Sequence, residues 1–502
     1  IYLFALFYLS ECQTSQNFVC LQLLLCLDRS ILFKFVVNWK NKQKMSTREN
    51  QASYQAEEPT TAPKIEKDVL NGSDRNEDLF ASNPNVLEVE RADPEDLQRI
   101  RGDAIGDTLY SERFVLNILL KLSKLEKNLQ EEEEMEKDLC TLWDMTLDAD
   151  MIEYLLKQDV LTLFAEVIKA TNDKRLTEIL VGILANMCDL KKTRDELCLQ
   201  ESQLVEVLLD LSGCLDALTL QQLMRLWAVI FVKSPTEHIE KWYDLVCKDG
   251  QFIENICFIL NNAINHKVLL QTLETLNAVL AKFALLDNPA KNFTELFIKS
   301  EVINATMEAF NTILTDNAGQ ENDTDELEKK EVKIKQTFCN IHSILTQYQQ
   351  YSEEAYAAHS EDILLCMKKI LKPLALEVDL DTWQTFELEV FETLSDLLEI
   401  LPRCFDPHLS SYLIKIWLKF LQTQQCSAST EFEEELNRQD LSDKCLQLLL
   451  LILTEASNAE LQENLKTVQS ENKGRFLESV EKLEKNGCVV KAYDKIKNAL
   501  GE

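Results

Sequence analysis

Apolar residues recur at three- and four-residue intervals along most of this 502-residue chain. Phe114, Ile118, Leu122 and Leu125 form one such stripe, the spacing that gathers side chains on one face of an α-helix. Denser apolar blocks follow at Leu180–Met187, Leu223–Phe231, Leu273–Leu280, Phe338–Leu345, Phe391–Leu401 and Cys445–Leu453, each predicting a buried helix. Only 10 Gly and 9 Pro interrupt the pattern, too few for the turns of a β-sheet protein. Pro235, Pro289, Pro373 and Pro402 fall between blocks or at their ends, where helices are expected to stop. The first block is echoed by Leu273-Glu-Thr-Leu-Asn-Ala-Val-Leu280, so the helices read as repeats. Successive blocks start about 43 to 65 residues apart, against about 40–47 for armadillo and HEAT units. The longer gaps predict inserted loops at Asp316–Lys330 and Gln422–Asp440. The expected fold is therefore all-α, an armadillo/HEAT-like helical-repeat solenoid with irregular repeat lengths.

The same pattern divides the chain. The solenoid is expected over residues 101–470, with Asp107 as the N-cap of its first helix and residues 471–502 as a terminal cap or loose helix. Residues 45–100 are polar, poor in aromatics and hold four of the nine prolines, the composition of a disordered acidic head. Residues 1–44 are apolar and precede the first Met, Met45. They are read as translated upstream sequence or a gene-structure artifact, because their longest apolar stretch contains Asp28, Arg29 and Lys34.

Charge and chemistry narrow the function classes. A net charge of −33 disfavours direct nucleic-acid binding, which needs clustered Lys and Arg, and favours protein partners with basic segments. No membrane contact and no small-molecule substrate is expected. The 15 Cys include no CxxC pair, and Cys188, Cys257, Cys339 and Cys445 lie on apolar helical faces, as free thiols in a reducing compartment do. No phosphate-binding loop, zinc spacing or nucleophile elbow is present, so neither a cofactor nor a metal nor catalysis is expected. His342 falls inside an apolar block and reads as a packed or rim histidine.

Two features instead suit a protein-binding groove. Asn186, closing Gly-Ile-Leu-Ala-Asn, and Asn277, in Leu-Asn-Ala-Val-Leu, occupy similar places in their blocks, where an amide could clamp a partner's backbone. Trp143 beside Asp144 could anchor a Lys or Arg. Local hydrogen bonding for the Asn pair and core packing for the Trp are the competing readings. Gly182, inside the same block as Asn186, is small enough for two helices to approach closely. Trp and Asn never stand four positions apart: Leu147 follows Trp143 and Phe231 follows Trp227 at that distance. The regular Trp–Asn array of a nuclear-import carrier is thus absent.

Four ordered segments carry a family resemblance. Gly102-Asp-Ala-Ile-Gly-Asp-Thr-Leu-Tyr-Ser-Glu-Arg-Phe114, the stretch from Glu133 through Leu-Trp-Asp-Met-Thr-Leu to Asp150, Val181-Gly-Ile-Leu-Ala-Asn-Met-Cys188 and Glu254-Asn-Ile-Cys-Phe-Ile-Leu260 resemble the serum amyloid A-like (synoviocyte proliferation-associated) protein family. The resemblance covers roughly residues 100–285. It implies an armadillo-type fold, association with the nucleus and promotion of cell proliferation, and it carries over no catalytic or ligand residues. The expected function is a non-enzymatic helical-repeat adaptor, nuclear or cytoplasmic and not secreted. The alternative is a regulatory or scaffold subunit of an enzyme or degradation complex. Nuclear placement has no basic signal behind it, since the densest basic run after Met45 is Lys191-Lys-Thr-Arg194.

Overall fold

A computed structural model describes residues 103–124, 133–199, 203–248, 250–286, 291–317, 324–376, 385–426, 432–466, 468, 470–485 and 492–501. The segments expected as an upstream leader and a disordered head, 1–44 and 45–100, lie outside the described residues. Helices α1 (Glu112–Leu122) and α2 (Glu133–Met145) open the array. Units of three helices follow. The first is α3 (Ala149–Lys157), α4 (Val160–Ala170) and α5 (Lys174–Met187), and the second is α6 (Lys191–Leu199), α7 (Gln203–Leu211) and α8 (Ala217–Lys233). The third is α9 (Ile239–Cys247), α10 (Gln251–Asn262) and α11 (His266–Phe283). Next come α12 (Lys291–Phe297), α13 (Ser300–Asn317) and α14 (Thr324–Thr346), then α15 (Gln349–Ala357), α16 (Ser360–Leu376) and α17 (Thr385–Ile400). The chain continues through α18 (Pro407–Cys426), α19 (Phe432–Leu453), α20 (Asn458–Leu465), α21 (Ser470–Lys485) and α22 (Tyr493–Leu500). Among the described residues the only β pairing is one isolated bridge, Ala104 to Ser111.

The third helix of each unit packs on the third helix of the next, forming one row: α2, α5, α8, α11, α14, α17 and α19. Second helices stack beside it, α4 on α7, α10 on α13, α13 on α16 and α16 on α18. This is an all-α repeat solenoid, in which each unit buries its apolar face only against its neighbours. The first residues of the row, Glu133, Lys174, Ala217, His266, Thr324, Thr385 and Phe432, are unequally spaced, so the repeat length is irregular.

Short polar side chains start the row's helices. Asp173 accepts from Arg175 N and Leu176 N ahead of α5, Asp216 from Thr219 N ahead of α8, and Asn265 from Lys267 N and Val268 N ahead of α11. Between units the core is aromatic. Trp227, Phe231, Trp242, Phe252 and Phe283 meet edge to face or stacked at 5.4–6.3 Å, joining the second unit to the third. His342 is fully buried, with Nδ1 2.6 Å from the Tyr356 hydroxyl and Nε2 3.3 Å from Thr306 Oγ1. Burial pushes its pKa down to about 3, so the imidazole is neutral and serves as a core hydrogen-bonding group.

Several boundaries differ from those expected. Asp107 does not cap α1; Ser111 does, its hydroxyl accepting from Phe114 N. The bridge to Ala104 and the left-handed Gly106 (φ 56°) fold residues 103–111 into a closed turn before the helix can start. Asp107 N instead donates to Asp150 Oδ2. Pro373 lies inside α16, one turn before its end, so the helix forgoes the bond from its nitrogen and only a short stretch follows the disturbance. The two expected insertions are helical over much of their length, since α14 begins at Thr324 and α18 runs to Cys426. Asp-Glu-Leu-Glu-Lys-Lys is rich in strong helix formers even without an apolar stripe. At the C-terminal end, α21 buries Phe476 and Val480 beside α19, and α22 packs on α20.

Candidate functional site

The row of third helices is cross-linked at every step by polar side chains. At its N-terminal end, Gly182 on α5 faces the indole of Trp143 on α2 so closely that a Cβ there would lie 2.0 Å from Trp143 Cζ2. One turn further, Asn186 is 8% exposed. Its amide donates to Trp143 O at 3.2 Å and to Thr146 Oγ1 at 3.1 Å, and its Oδ1 accepts from Arg225 Nη1 on α8 at 2.9 Å. Asn186 therefore spends both ends of its amide joining three helices. Trp143 is half-buried, and Asp144 beside it is exposed. On the same faces Arg175 donates from Nε to Glu136 on α2 and from Nη1 to Glu178, both at 2.8 Å. Those two carboxylates hold its guanidinium above its ordinary pKa.

The links continue along the row. Thr275 on α11 donates to Met224 O at 2.7 Å, and Lys282 donates to Ser234 O at 2.6 Å. Lys333 on α14 pairs with Glu274. Gln336 donates to Glu389 on α17, Ser343 to Asp396, and Lys444 on α19 faces Glu392 at 3.8 Å. Asn277 stands half-buried on α11, and its Oδ1 is buried without a hydrogen-bond partner among the described residues. The structure thus brings Trp143 and Asn186 together through a backbone carbonyl, and places Asn277 separately, two helices along from Asn186.

Charge is unevenly distributed on this face. On α17, Glu389, Glu392, Asp396 and Glu399 fall at helical spacing on the side that α14 and α19 touch, with Glu399 exposed. Burial, reinforced by Glu399 and Glu392, outweighs Lys444 and raises the Asp396 pKa to about 6. At the opposite end Arg225 has no carboxylate partner among the described residues; Gln222 Oε1, Asn186 Oδ1 and Gly182 O accept from it at 2.9–3.0 Å. Sequence reasoning missed Arg225. Its only signal is a single cation inside the otherwise apolar run Leu-Met-Arg-Leu-Trp.

An open cleft of about 350 Å³ lies at the start of α5 and α8, between Asn172, Arg175, Glu178, Asp216 and Leu218. Among the described residues no three His, Cys, Asp or Glu side chains converge as a metal site would require, and no helix is long and apolar enough to cross a membrane. Burial raises the pKa of thiols such as Cys188, Cys339 and Cys445, which pack in the core as neutral apolar groups.

No known family's profile matches the chain. It is similar to the protein named saal1 of Danio rerio, 30% identical over 184 residues, which is 35% of this chain and 39% of that protein. It is also similar to SAAL1 of Homo sapiens, 29% identical over 192 residues, with the same shares of each chain. The match spans less than half the length of these curated relatives. Among solved structures, a designed armadillo repeat protein in complex with the peptide (KR)4 aligns with a TM-score of 0.38 and 13% identity, covering 56% of this chain and 98% of that one.

Proposed function

We propose that the chain is a non-enzymatic protein-binding scaffold and that the solvent face of the third-helix row is its docking surface. The observation that carries this reading is the row itself. Seven consecutive helices present polar and charged side chains along one face, at unequal spacing but without a break in the packing. A solenoid offers a long, rigid and modular surface of this kind for extended partners. In this reading Trp143 and Asp144 meet the partner directly, and half-buried Asn277 borders the contact. Asn186 contributes by fixing the backbone beneath Trp143. The acidic stripe on α17 favours basic segments through charge complementarity.

In this reading, similarity to the serum amyloid A-like proteins supports a role in cell proliferation, in the nucleus or the cytoplasm. The test is co-isolation of the full chain from dividing cells, with quantitation of each recovered protein against Trp143→Ala, Asp144→Ala and Asn277→Ala variants. The reading expects a defined subset of partners to fall several-fold in at least one variant while thermal unfolding stays unchanged. An identical partner set in all three would overturn this site, and turnover of a substrate by the isolated chain would overturn the non-enzymatic assignment.

A further inference from the structure

Arg225 is a half-buried cation held in place without a counter-ion among the described residues. It lies in the middle of α8, so the dipole of its own helix does not compensate its charge, and its guanidinium reaches across to the last turns of α5. Arg194, which is more deeply buried, has such compensation: its Nη1 donates to Cys188 O and Asp189 O at the C-terminus of α5. Arg175 has Glu136 and Glu178, and Lys368 has Asp406. Arg225 has only neutral acceptors, one each on Nε, Nη1 and Nη2. One N–H on each Nη remains without an acceptor among the described residues. Burial pushes its pKa below the ordinary arginine value. In a chain of net charge −33, an Arg left unneutralised is a departure from the bulk composition.

Its surroundings also define a receptor. Asn186 and Gly182 O fix the guanidinium plane, and Asn186 is itself locked by Trp143 O and Thr146 Oγ1. The cation is therefore preorganised, and little rotamer entropy remains to be lost on binding. Exposed apolar side chains stand on the same helix on either side, Leu218 at 51% and Val232 at 67% exposure. A guanidinium held in plane with N–H groups to spare suits a carboxylate, whose charge strengthens the hydrogen bond it accepts.

We propose that Arg225 is a docking point for a carboxylate of a partner protein, an Asp or Glu side chain in a segment with apolar neighbours. This rests on the reading of the row as a protein-docking surface and refines it. The row is bipolar, taking an acidic group at α8 and a basic stretch at α17.

The test uses the full chain and fluorescein-labelled hexaglutamate, hexaglutamine and hexalysine, read by fluorescence anisotropy. Hexaglutamate is expected to bind the wild type against its net charge and hexaglutamine is not. Arg225→Gln is expected to weaken hexaglutamate binding about tenfold or more while leaving hexalysine binding unchanged. Because Arg225→Gln removes internal bonds, a second measurement uses the unaltered chain. Hexaglutamate should protect Arg225 from phenylglyoxal modification, read by peptide mass spectrometry, and hexaglutamine should not. Absent hexaglutamate binding, or binding with Arg225 unprotected, overturns the proposal. If hexalysine still binds and the Glu389→Gln/Asp396→Asn variant abolishes that binding, the docking-surface reading survives that failure. If neither charged peptide binds, both fall.

Discussion

At the scale of single residues, the site is organised by what α5 lacks. Gly182 has no Cβ, and Trp143 occupies the space one would fill. Gly182→Ala gains about 1 kcal/mol of helix propensity but forces the indole or α2 to move, an overpacking that costs about 1–3 kcal/mol and here outweighs the gain. A net loss of up to about 2 kcal/mol in urea denaturation is expected. In the double variant with Trp143→Ala the loss from Gly182→Ala should vanish, since nothing then opposes the new methyl group. Strict additivity of the two changes would refute the contact. Part of this was legible in the sequence: a small residue one turn before Asn186 marks a close approach. What approaches it was not, because Trp143 is 39 positions away and only the packing of α2 on α5 brings them together. Asn186 shows the same limit. Its place in the block was readable, but the choice between clamping a partner and bonding internally depends on Trp143, Thr146 and Arg225, which lie on other elements.

At the scale of elements, α17 puts Asp396 where burial and the neighbouring Glu399 and Glu392 oppose its ionisation. Its folded-state pKa is about 6, against about 3.9 in an unfolded chain. The folded state then holds the proton more tightly, so between about pH 4 and pH 6 stability falls as pH rises. Above pH 6 the full penalty of the ionised group is present, and acidification toward pH 4 relieves it. Asp396→Asn should therefore stabilise the chain at pH 7 and make little difference at pH 4. Urea midpoints of both chains at the two pH values measure this, and equal shifts at both would show that Asp396 titrates normally. The helix was predicted by its apolar block Phe391–Leu401, but the acidic stripe on its other face was not singled out. With 85 Asp and Glu in the chain, no single set stands out until the neighbours of α17 are known. Pro373 and the helical start of α14 were misjudged for a related reason. Proline position and apolar periodicity are weak guides within one turn of a helix end or on a strongly charged helix, where propensity decides.

At the scale of the whole molecule, the sequence carried the architecture further than the site, because repeat packing is a local matter. Each unit needs only an apolar face and a neighbour, and both are written in the spacing of the blocks. The same locality governs stability. In a one-dimensional array, unit stabilities and nearest-neighbour interfaces add, and damage at one end reaches the other only through the intervening interfaces. Gly182→Ala strikes the contact between α2 and α5, while α17 and α19 lie three and four steps further along the row than α8. Amide hydrogen exchange of this variant should lose protection in α2, α5 and α8, with progressively smaller changes through α11, and α17 and α19 should exchange as in the wild type. The aromatic junction of Trp227, Trp242 and Phe283 is where the effect should be arrested, since it is the most extensively ring-packed of the described interfaces. Uniform loss of protection from α2 to α19 would instead mean that the units unfold as one cooperative body. Such a body could not bend or open locally around a partner, so the exchange pattern also decides whether the docking face can adapt one unit at a time.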